Sequence, residues 1–342
     1  MIRAGFIGVG GISKVHLDYL KKRKNARIVA LCDTRPEQAE KQRQVYGGTT
    51  FTDFRKMLAT TPLDAVWLCT PPAIRKEPLL ACAARGLPVL CEKPVENSAT
   101  RARAIATALA RRRAKVQIGY VFRYTPVIAA LRQAMQDDSI HLVQSFYGCG
   151  VSLTMGLPAW FYDKQKSGGA LVDQATHNLD LLRFLFGEVR AVHGLAANPV
   201  RKKTAHYTID ETLSLMFRFR NGMLGTHNHT WVGDGWRNEI VFSGEKRFYR
   251  LNLSKGRLTV EGAPIRSKPK TALMPKADAA GQICFQADGT SIYQYENEVF
   301  LKQIQSGNWR TNPSTYADGA KTLQLTLACD RAITSRKVVN LA

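Results

Sequence analysis

Gly8-Val9-Gly10-Gly11-Ile12-Ser13 decides how this chain is read. It closes an apolar run, Ile2 to Val9, that has no charge after Arg3, and it opens a helical pattern reaching Leu20. A short buried strand, a glycine turn and a helix in that order make one βα unit. The glycines permit a tight turn and close approach of backbone to a pyrophosphate, which then sits on the helix N-terminus. Gly8, Gly10, Gly11, Ile12 and Ser13 are therefore candidate phosphate contacts. Ser13 stands where G-x-G-x-x-G ends in glycine or alanine, and it is small enough to keep the helix against the sheet. Taken alone, the same glycines serve any βα turn.

Working outward, the strand Arg27 to Cys32 ends at Asp33, the separation at which an acidic residue reads the adenosine ribose hydroxyls. Strand, turn, helix, strand and acid together specify a dinucleotide site. A carboxylate at Asp33 repels the extra phosphate of NADP, and a differential of about 2–3 kcal/mol favours NAD roughly 30- to 150-fold. Arg35 lies close enough to reach a 2′-phosphate instead. NAD is the expected cofactor, with NADP use left open.

Helical patterns over Pro36–Tyr46, Phe54–Ala59, Arg75–Arg85 and Ser98–Arg112 alternate with apolar strands at Ala65–Cys69, Pro88–Cys91 and Lys115–Gly119. This alternation predicts an α/β fold with a parallel, doubly wound sheet and right-handed crossovers. Two breaks fall at the sheet's carboxyl edge, where ligands bind. One is Thr70-Pro71-Pro72. The other is Glu92-Lys93-Pro94, in which the proline keeps Lys93 out of helical geometry and leaves its ammonium at the edge. A surface lysine ending a strand is the alternative these residues leave open.

A chain of 342 residues can bury a sizeable core and suggests about two domains. Its 45% hydrophobic and 22% charged residues are ordinary for a soluble globular protein. No apolar run is long enough to span a bilayer, and Gly5–Gly11 lacks the length, basic flank and cleavage site of a signal peptide. The seven cysteines show no C-x-x-C pair and read as reduced thiols in a cytoplasmic protein. The net charge of +22 is unusual. Its densest runs, Lys21–Lys24, Arg111–Arg113 and Arg201–Lys203, are scattered and lack interleaved aromatics, so they read as a solvated basic surface rather than a specific nucleic-acid site. The first two fall at expected helix C-termini, where cations suit the helix dipole.

After Gly119 the alternation stops. A helix is expected over Pro126–Met135 and a strand over Ile140–Gly148. Asp173, His177 and Asp180 stand at i, i+4 and i+7 on a helix expected to begin at an N-cap Ser167 and to run to Phe186 before Gly187. Charged groups on a buried helix are costly unless paired or facing a ligand; one solvated polar stripe explains the spacing equally. His227 and His229 alternate in a strand-like stretch with no cysteine or carboxylate to complete a metal set, so they read as one face of a sheet and no metal is expected. Glu211–Arg220, Met223–Trp231, Glu239–Ser243, Phe248–Leu253 and Arg257–Glu261 read as mostly antiparallel strands. Ala263–Thr290 reads as a long irregular loop. An amphipathic helix follows over Ser291–Ser306, the last long helix lies within Pro313–Arg336, and Val338–Leu341 reads as a closing strand.

Gly8 to Ser13, Asp33, Thr70-Pro71-Pro72 and Glu92-Lys93-Pro94 resemble the glucose–fructose oxidoreductase / inositol dehydrogenase (Gfo/Idh/MocA) family, and the likeness extends through nearly the whole chain. The resemblance implies a Rossmann domain over residues 1–120. It implies an α+β domain over 121–342, with a large, mostly antiparallel, open-faced sheet whose free face meets another subunit in a homodimer or homotetramer. It adds Thr70, Pro71, Glu92 and Lys93 to the cofactor contacts. Asp173 and His177 match the family's D-x-x-x-H catalytic pattern, although Ala175 stands where many relatives have glycine. His177 would then be the general base, Lys93 would hydrogen-bond the reacting oxygen, and Asp173 would orient substrate or support the other two. Arg123, in the connection into the second domain, is either a substrate contact or a buried structural arginine. Relatives often carry histidine where this chain has Arg75, and no role is transferred there. The implied activity is reversible oxidation of a secondary alcohol on a sugar, polyol or related cyclic substrate. Two alternatives stand beside it. A glycosidase using tightly held NAD would form product without net NADH; a non-catalytic NAD sensor would have no need of Lys93, Asp173 and His177 together.

Overall fold

Six short strands form the first sheet: β1 (Ile2–Ile7), β2 (Ala26–Cys32), β3 (Thr49–Phe51), β4 (Ala65–Leu68), β5 (Val89–Cys91) and β6 (Val116–Ile118). The structure is a computed structural model and describes residues 1–151, 157–265, 276–277, 283–286 and 289–341. All six strands pair in parallel, in the order β3-β2-β1-β4-β5-β6. The order reverses beside β1, which opens a crevice at the carboxyl ends of β1 and β4. Parallel sheets covered on both faces need apolar side chains at successive positions; Ala65–Leu68 and Val89–Cys91 are buried throughout. Thr49–Phe51 gives no such signal in sequence, being a three-residue edge strand with two threonines.

Two compact units divide the chain: Met1–Tyr124 with Ser291–Leu323, and Thr125–Thr290 with Gln324–Ala342. The expected boundary after residue 120 does not foresee the return of Ser291–Leu323 to the first unit. Apolar burial explains that return. Phe300 and Leu301, on the helix Ile292–Ser306, join the core containing Phe6, Leu17, Trp67 and Leu90. The Phe300 and Trp67 rings meet edge to face at 5.0 Å. Burying one such side chain contributes about 1.5–3 kcal/mol.

The second unit is built on ten strands: β7 (Ile140–Gly148), β8 (Val189–Ala197), β9 (Thr212–Phe219), β10 (Leu224–Thr230), β11 (Arg237–Gly244), β12 (Arg247–Asn252), β13 (Arg257–Gly262), β14 (Lys276–Ala277), β15 (Ile283–Gln286) and β16 (Val339–Asn340). Their order is β14-β15-β13-β12-β11-β7-β10-β9-β8-β16, antiparallel except for β7 with β10. Burial alternates along β9, with Leu213, Leu215, Phe217 and Phe219 inward. The opposite face exposes Leu142, Leu195, Met216 and Leu224. β8 lacks a clean sequence pattern because of Gly194, where a Cβ would stand 2.6 Å from Leu215 Cδ2.

The irregular loop expected over Ala263–Thr290 is corrected in part. Lys276–Ala277 and Ile283–Gln286 pair as strands, the second against β13. An open strand edge captures extended chain through backbone groups, whatever the side chains. Of the same stretch, 266–275, 278–282 and 287–288 lie outside the described residues. Among the described residues no helix is long and apolar enough to cross a membrane.

Candidate active site

In the first unit the glycine turn follows β1 and leads into the helix Ser13–Lys21. Gly8 has φ 81°, and a Cβ there would lie 2.9 Å from the Cys69 carbonyl carbon and from Thr70, so only glycine fits. At Gly10 and Gly11 a Cβ would meet nothing within 4 Å, which leaves open space before the helix N-terminus. Ser13 is fully buried and its hydroxyl donates to Gly10 O at 2.6 Å, so a small residue is required there. Thr70 Oγ1 is buried with no hydrogen-bond partner among the described residues. Asp33 Oδ2 accepts from Val9 N at 3.1 Å, and Oδ1 accepts from Arg35 N at 3.1 Å and Nε at 3.5 Å. A carboxylate offers about four lone-pair directions, so Asp33 retains capacity for a ribose hydroxyl. Open glycines, an orphan hydroxyl and an acid at the end of β2 fit a dinucleotide.

At the end of β5 the Glu92 side chain turns back on its own backbone. Its Oε2 accepts from Lys93 N at 3.1 Å, and Oε1 meets His16 Nε2 at 3.1 Å. Gly119, after β6, makes the room: a Cβ there would stand 3.2 Å from the Glu92 carboxyl carbon. Trp67 Nε1, which can only donate, gives its hydrogen to Asn297 Oδ1 at 2.8 Å. Asn297 Nδ2 therefore donates, to Tyr293 O at 2.7 Å and to His16 Nδ1 at 2.9 Å. That leaves the His16 hydrogen on Nε2, aimed at Glu92. Burial alone would raise the Glu92 pKa; the His16 hydrogen bond and the nearby charges outweigh it and hold the carboxyl below its ordinary value.

Glu296 completes this group, with donor atoms of His16, Glu92 and Glu296 within 4.8 Å of one another. Burial, and then the Glu92 charge, push the Glu296 carboxyl well above its ordinary value. These residue types also bind metals, but protein partners occupy both His16 nitrogens, so hydrogen bonding accounts for the grouping. Sequence reasoning missed it. His16 and Asn297 are 281 residues apart, and only His16's place on the inward stripe with Leu17 and Leu20 hinted at burial.

Burial pushes the thiols of Cys82 and Cys91 up to about 12 and about 11, so neither is a nucleophilic thiolate. Arg123 is buried in the first unit, donates to Pro313 O at 2.7 Å and pairs with Asp318 at 2.5 Å. Those partners favour the structural alternative for Arg123.

In the second unit the helix expected from an N-cap Ser167 to Phe186 is present from residue 169, with a π-helical turn inside it and a separate short helix before it. That short helix, Lys164–Ser167, is ended by Gly168 and Gly169 with φ 78° and 65°. Positive φ cannot continue a right-handed helix. The Ser167 hydroxyl accepts from Gly169 N at 2.9 Å, as expected of a capping residue. Leu171–Ala175 then form a π-helical turn carrying Asp173, and the α-helix Thr176–Phe186 carries His177 and Asp180. Such turns add a residue to the helical wind and recur at functional sites. The helix ends before Gly187, as expected.

His177 and Asp180 are buried and Asp173 is half-buried. Asn178, beside His177, exchanges two amide hydrogen bonds with Asn238, at 2.9 and 2.8 Å, and donates to Ser145 Oγ at 2.9 Å. Ser145 Oγ in turn lies 3.0 Å from His227 Nδ1. Gln174 Oε1 accepts from Trp231 Nε1 at 2.5 Å and from the Cys149 thiol at 2.9 Å. These polar ties fix the segment bearing Asp173 and His177 to β7, β10, β11 and their ends. Sequence reasoning did not single out Asn178, Gln174 or Ser145, since nothing local marks which amide will be tethered. His227 and His229 are fully buried on one face of β10, as their alternation implied. Burial pushes His227 down to about 3, and burial, with the cost of charging a second imidazole beside His227, pushes His229 far down, so both remain neutral.

The model of an oxidoreductase family with an NAD-binding Rossmann fold matches residues 2–120, and the GFO/IDH/MocA C-terminal domain matches residues 129–250. This chain belongs to the Gfo/Idh/MocA oxidoreductase family. Inositol 2-dehydrogenase of Rhizobium meliloti (strain 1021) is 27% identical, across 100% of this chain and 99% of that protein. Levoglucosan dehydrogenase of Pseudarthrobacter phenanthrenivorans is 25% identical, across 62% of this chain and 61% of that protein. The structure of levoglucosan dehydrogenase in complex with NADH has the same fold, with a TM-score of 0.83 at 22% identity over 100% of this chain and 99% of that one. Within this Gfo/Idh/MocA member, the first unit contains an NAD-binding Rossmann domain and the second a mostly antiparallel sheet.

Proposed function

We propose that the protein oxidises a secondary alcohol of a sugar, polyol or related cyclic substrate, reversibly, with NAD. The observation that carries this reading is Lys93, held at the carboxyl edge of the same sheet that bears the glycine turn and Asp33. Relatives named for inositol and levoglucosan support the substrate class. When bound, NAD supplies the nicotinamide carbon that takes the hydride from the alcohol carbon. His177 accepts the hydroxyl proton as general base. Lys93 hydrogen-bonds the same oxygen and stabilises the negative charge that develops on it as the carbonyl forms. Asp173 orients the substrate through a neighbouring hydroxyl. Gly8, Gly10, Gly11, Ile12 and Ser13 hold the pyrophosphate, Asp33 the ribose, and Thr70, Pro71 and Glu92 line the remainder.

The outward face of the ten-stranded sheet supports a homo-oligomer, because Leu142 and Leu224 stand opposite one another on β7 and β10 and both are exposed. Contiguous exposed apolar positions of this kind mark interaction surfaces. A screen of sugars and polyols for NADH formation, with glycosides assayed in parallel, tests the activity. Growth of NADH absorbance with one or more polyols is expected. Glycoside cleavage without net NADH would replace this reading with the glycosidase.

A further inference from the structure

Arg75 is 3% exposed and stands at the start of the helix Lys76–Ala84, just after the Thr70-Pro71-Pro72 turn. Every N–H of its guanidinium points at a backbone carbonyl. Nε and Nη2 donate to Thr70 O at 2.8 and 2.5 Å. Nη1 donates to both Glu92 O and Pro94 O, and Nη2 also reaches Lys93 O at 3.4 Å. Among the described residues no carboxylate pairs with it directly. A fully engaged, buried fork has no donor left for a phosphate or substrate oxygen, so Arg75 is not an anion site. Its partners are instead the two loops at the carboxyl edge of the sheet, and they converge on one peptide. Lys93 N–H is held by Glu92 Oε2, and Lys93 C=O is held by Arg75.

We propose that Arg75 is a positioning residue, which fixes the backbone of Lys93 by gathering the carbonyls of Thr70, Glu92, Lys93 and Pro94 on one planar fork. The role rests on the catalytic reading of Lys93 given above. A guanidinium presents five donors in fixed directions, whereas a lysine ammonium presents three on a flexible stem. The side chain of Lys93 inherits any error in its backbone, and misplacing a reacting group by about 1 Å costs on the order of 10²-fold in rate.

The test uses the full chain and the best alcohol from the polyol screen. Arg75→Lys keeps the charge and loses the fork; Arg75→Ala removes both. Arg75→Lys should lower kcat roughly 10- to 100-fold, with KM and melting temperature little changed. Added guanidinium chloride should restore part of kcat in Arg75→Ala, and sodium chloride at equal ionic strength should not. A purely structural arginine would not give this kcat-against-KM split or this rescue. Wild-type turnover in Arg75→Lys overturns the proposal, and so does loss of the folded state in both variants, which assigns Arg75 to stability alone. Lys93→Ala is assayed alongside. Wild-type turnover there refutes the reading of Lys93 itself, whereas its loss with Arg75→Lys unaffected refutes only the positioning role.

Discussion

Replacing Glu296 with glutamine should change how stability depends on pH. Glu296 is fully buried, and neither carboxyl oxygen has a hydrogen-bond partner among the described residues. Burial and the neighbouring Glu92 charge raise its pKa well above the ordinary value of 4.5. Above that ordinary value the unfolded chain releases the proton while the folded chain keeps it. The folded state then binds more protons, so stability falls as pH rises, by about 1.4 kcal/mol per pH unit, until the folded pKa is reached. Glutamine has nearly the same shape and never ionises, so this contribution vanishes. Carboxylates with lowered values, such as Glu92 and Asp137, act with the opposite sign, but they are shared by both proteins and largely cancel in the difference. Between pH 5 and 6 the wild type should lose about 1.4 kcal/mol relative to Glu296→Gln. For a unit of this size that corresponds to roughly 3–5 °C in Tm. Calorimetry of both full-length proteins at the two pH values measures it. Parallel Tm profiles would refute a proton held on Glu296 in the folded state.

Lys93→Ala and His177→Ala should each lower turnover about 10²–10⁴-fold while NAD stays bound. Because the two would act as a unit, the double variant should be little worse than the poorer single one; near-normal turnover in either single variant, or fully additive losses, would refute the pairing. The low-pH limb of the kcat/KM profile should vanish in His177→Ala, as read from initial rates across pH. Titration calorimetry should find NAD bound roughly 30- to 150-fold tighter than NADP, and tighter NADP binding would give control of the site to Arg35. Light scattering should find an oligomer, and Leu142→Glu with Leu224→Glu should dissociate it by placing charge on the exposed face of the sheet; a wild-type monomer at micromolar concentration would sink this reading.

How the chain divides between local and non-local information is visible in particular residues. The Gly8–Ser13 turn, the strands that end at Asp33, Thr70 and Glu92, and the alternation along β9 and β10 were legible because each depends on neighbours two to four residues away. Even His227 and His229 could be assigned to one sheet face from their spacing. The return of Ser291–Leu323 was not legible, because an amphipathic helix announces its apolar face without naming the core it fills. The same limit hid the meeting of His16, Glu92, Glu296 and Asn297, and the use of Arg75 to bind carbonyls of two separate loops. The helix expected between Ser167 and Phe186 was legible, but its π-helical turn over Leu171–Ala175 and the short helix Lys164–Ser167 before it were not. Periodicity determines which side of an element is buried. Burial, partner and protonation state depend on what the rest of the chain brings to that side, and only the tertiary structure decides that.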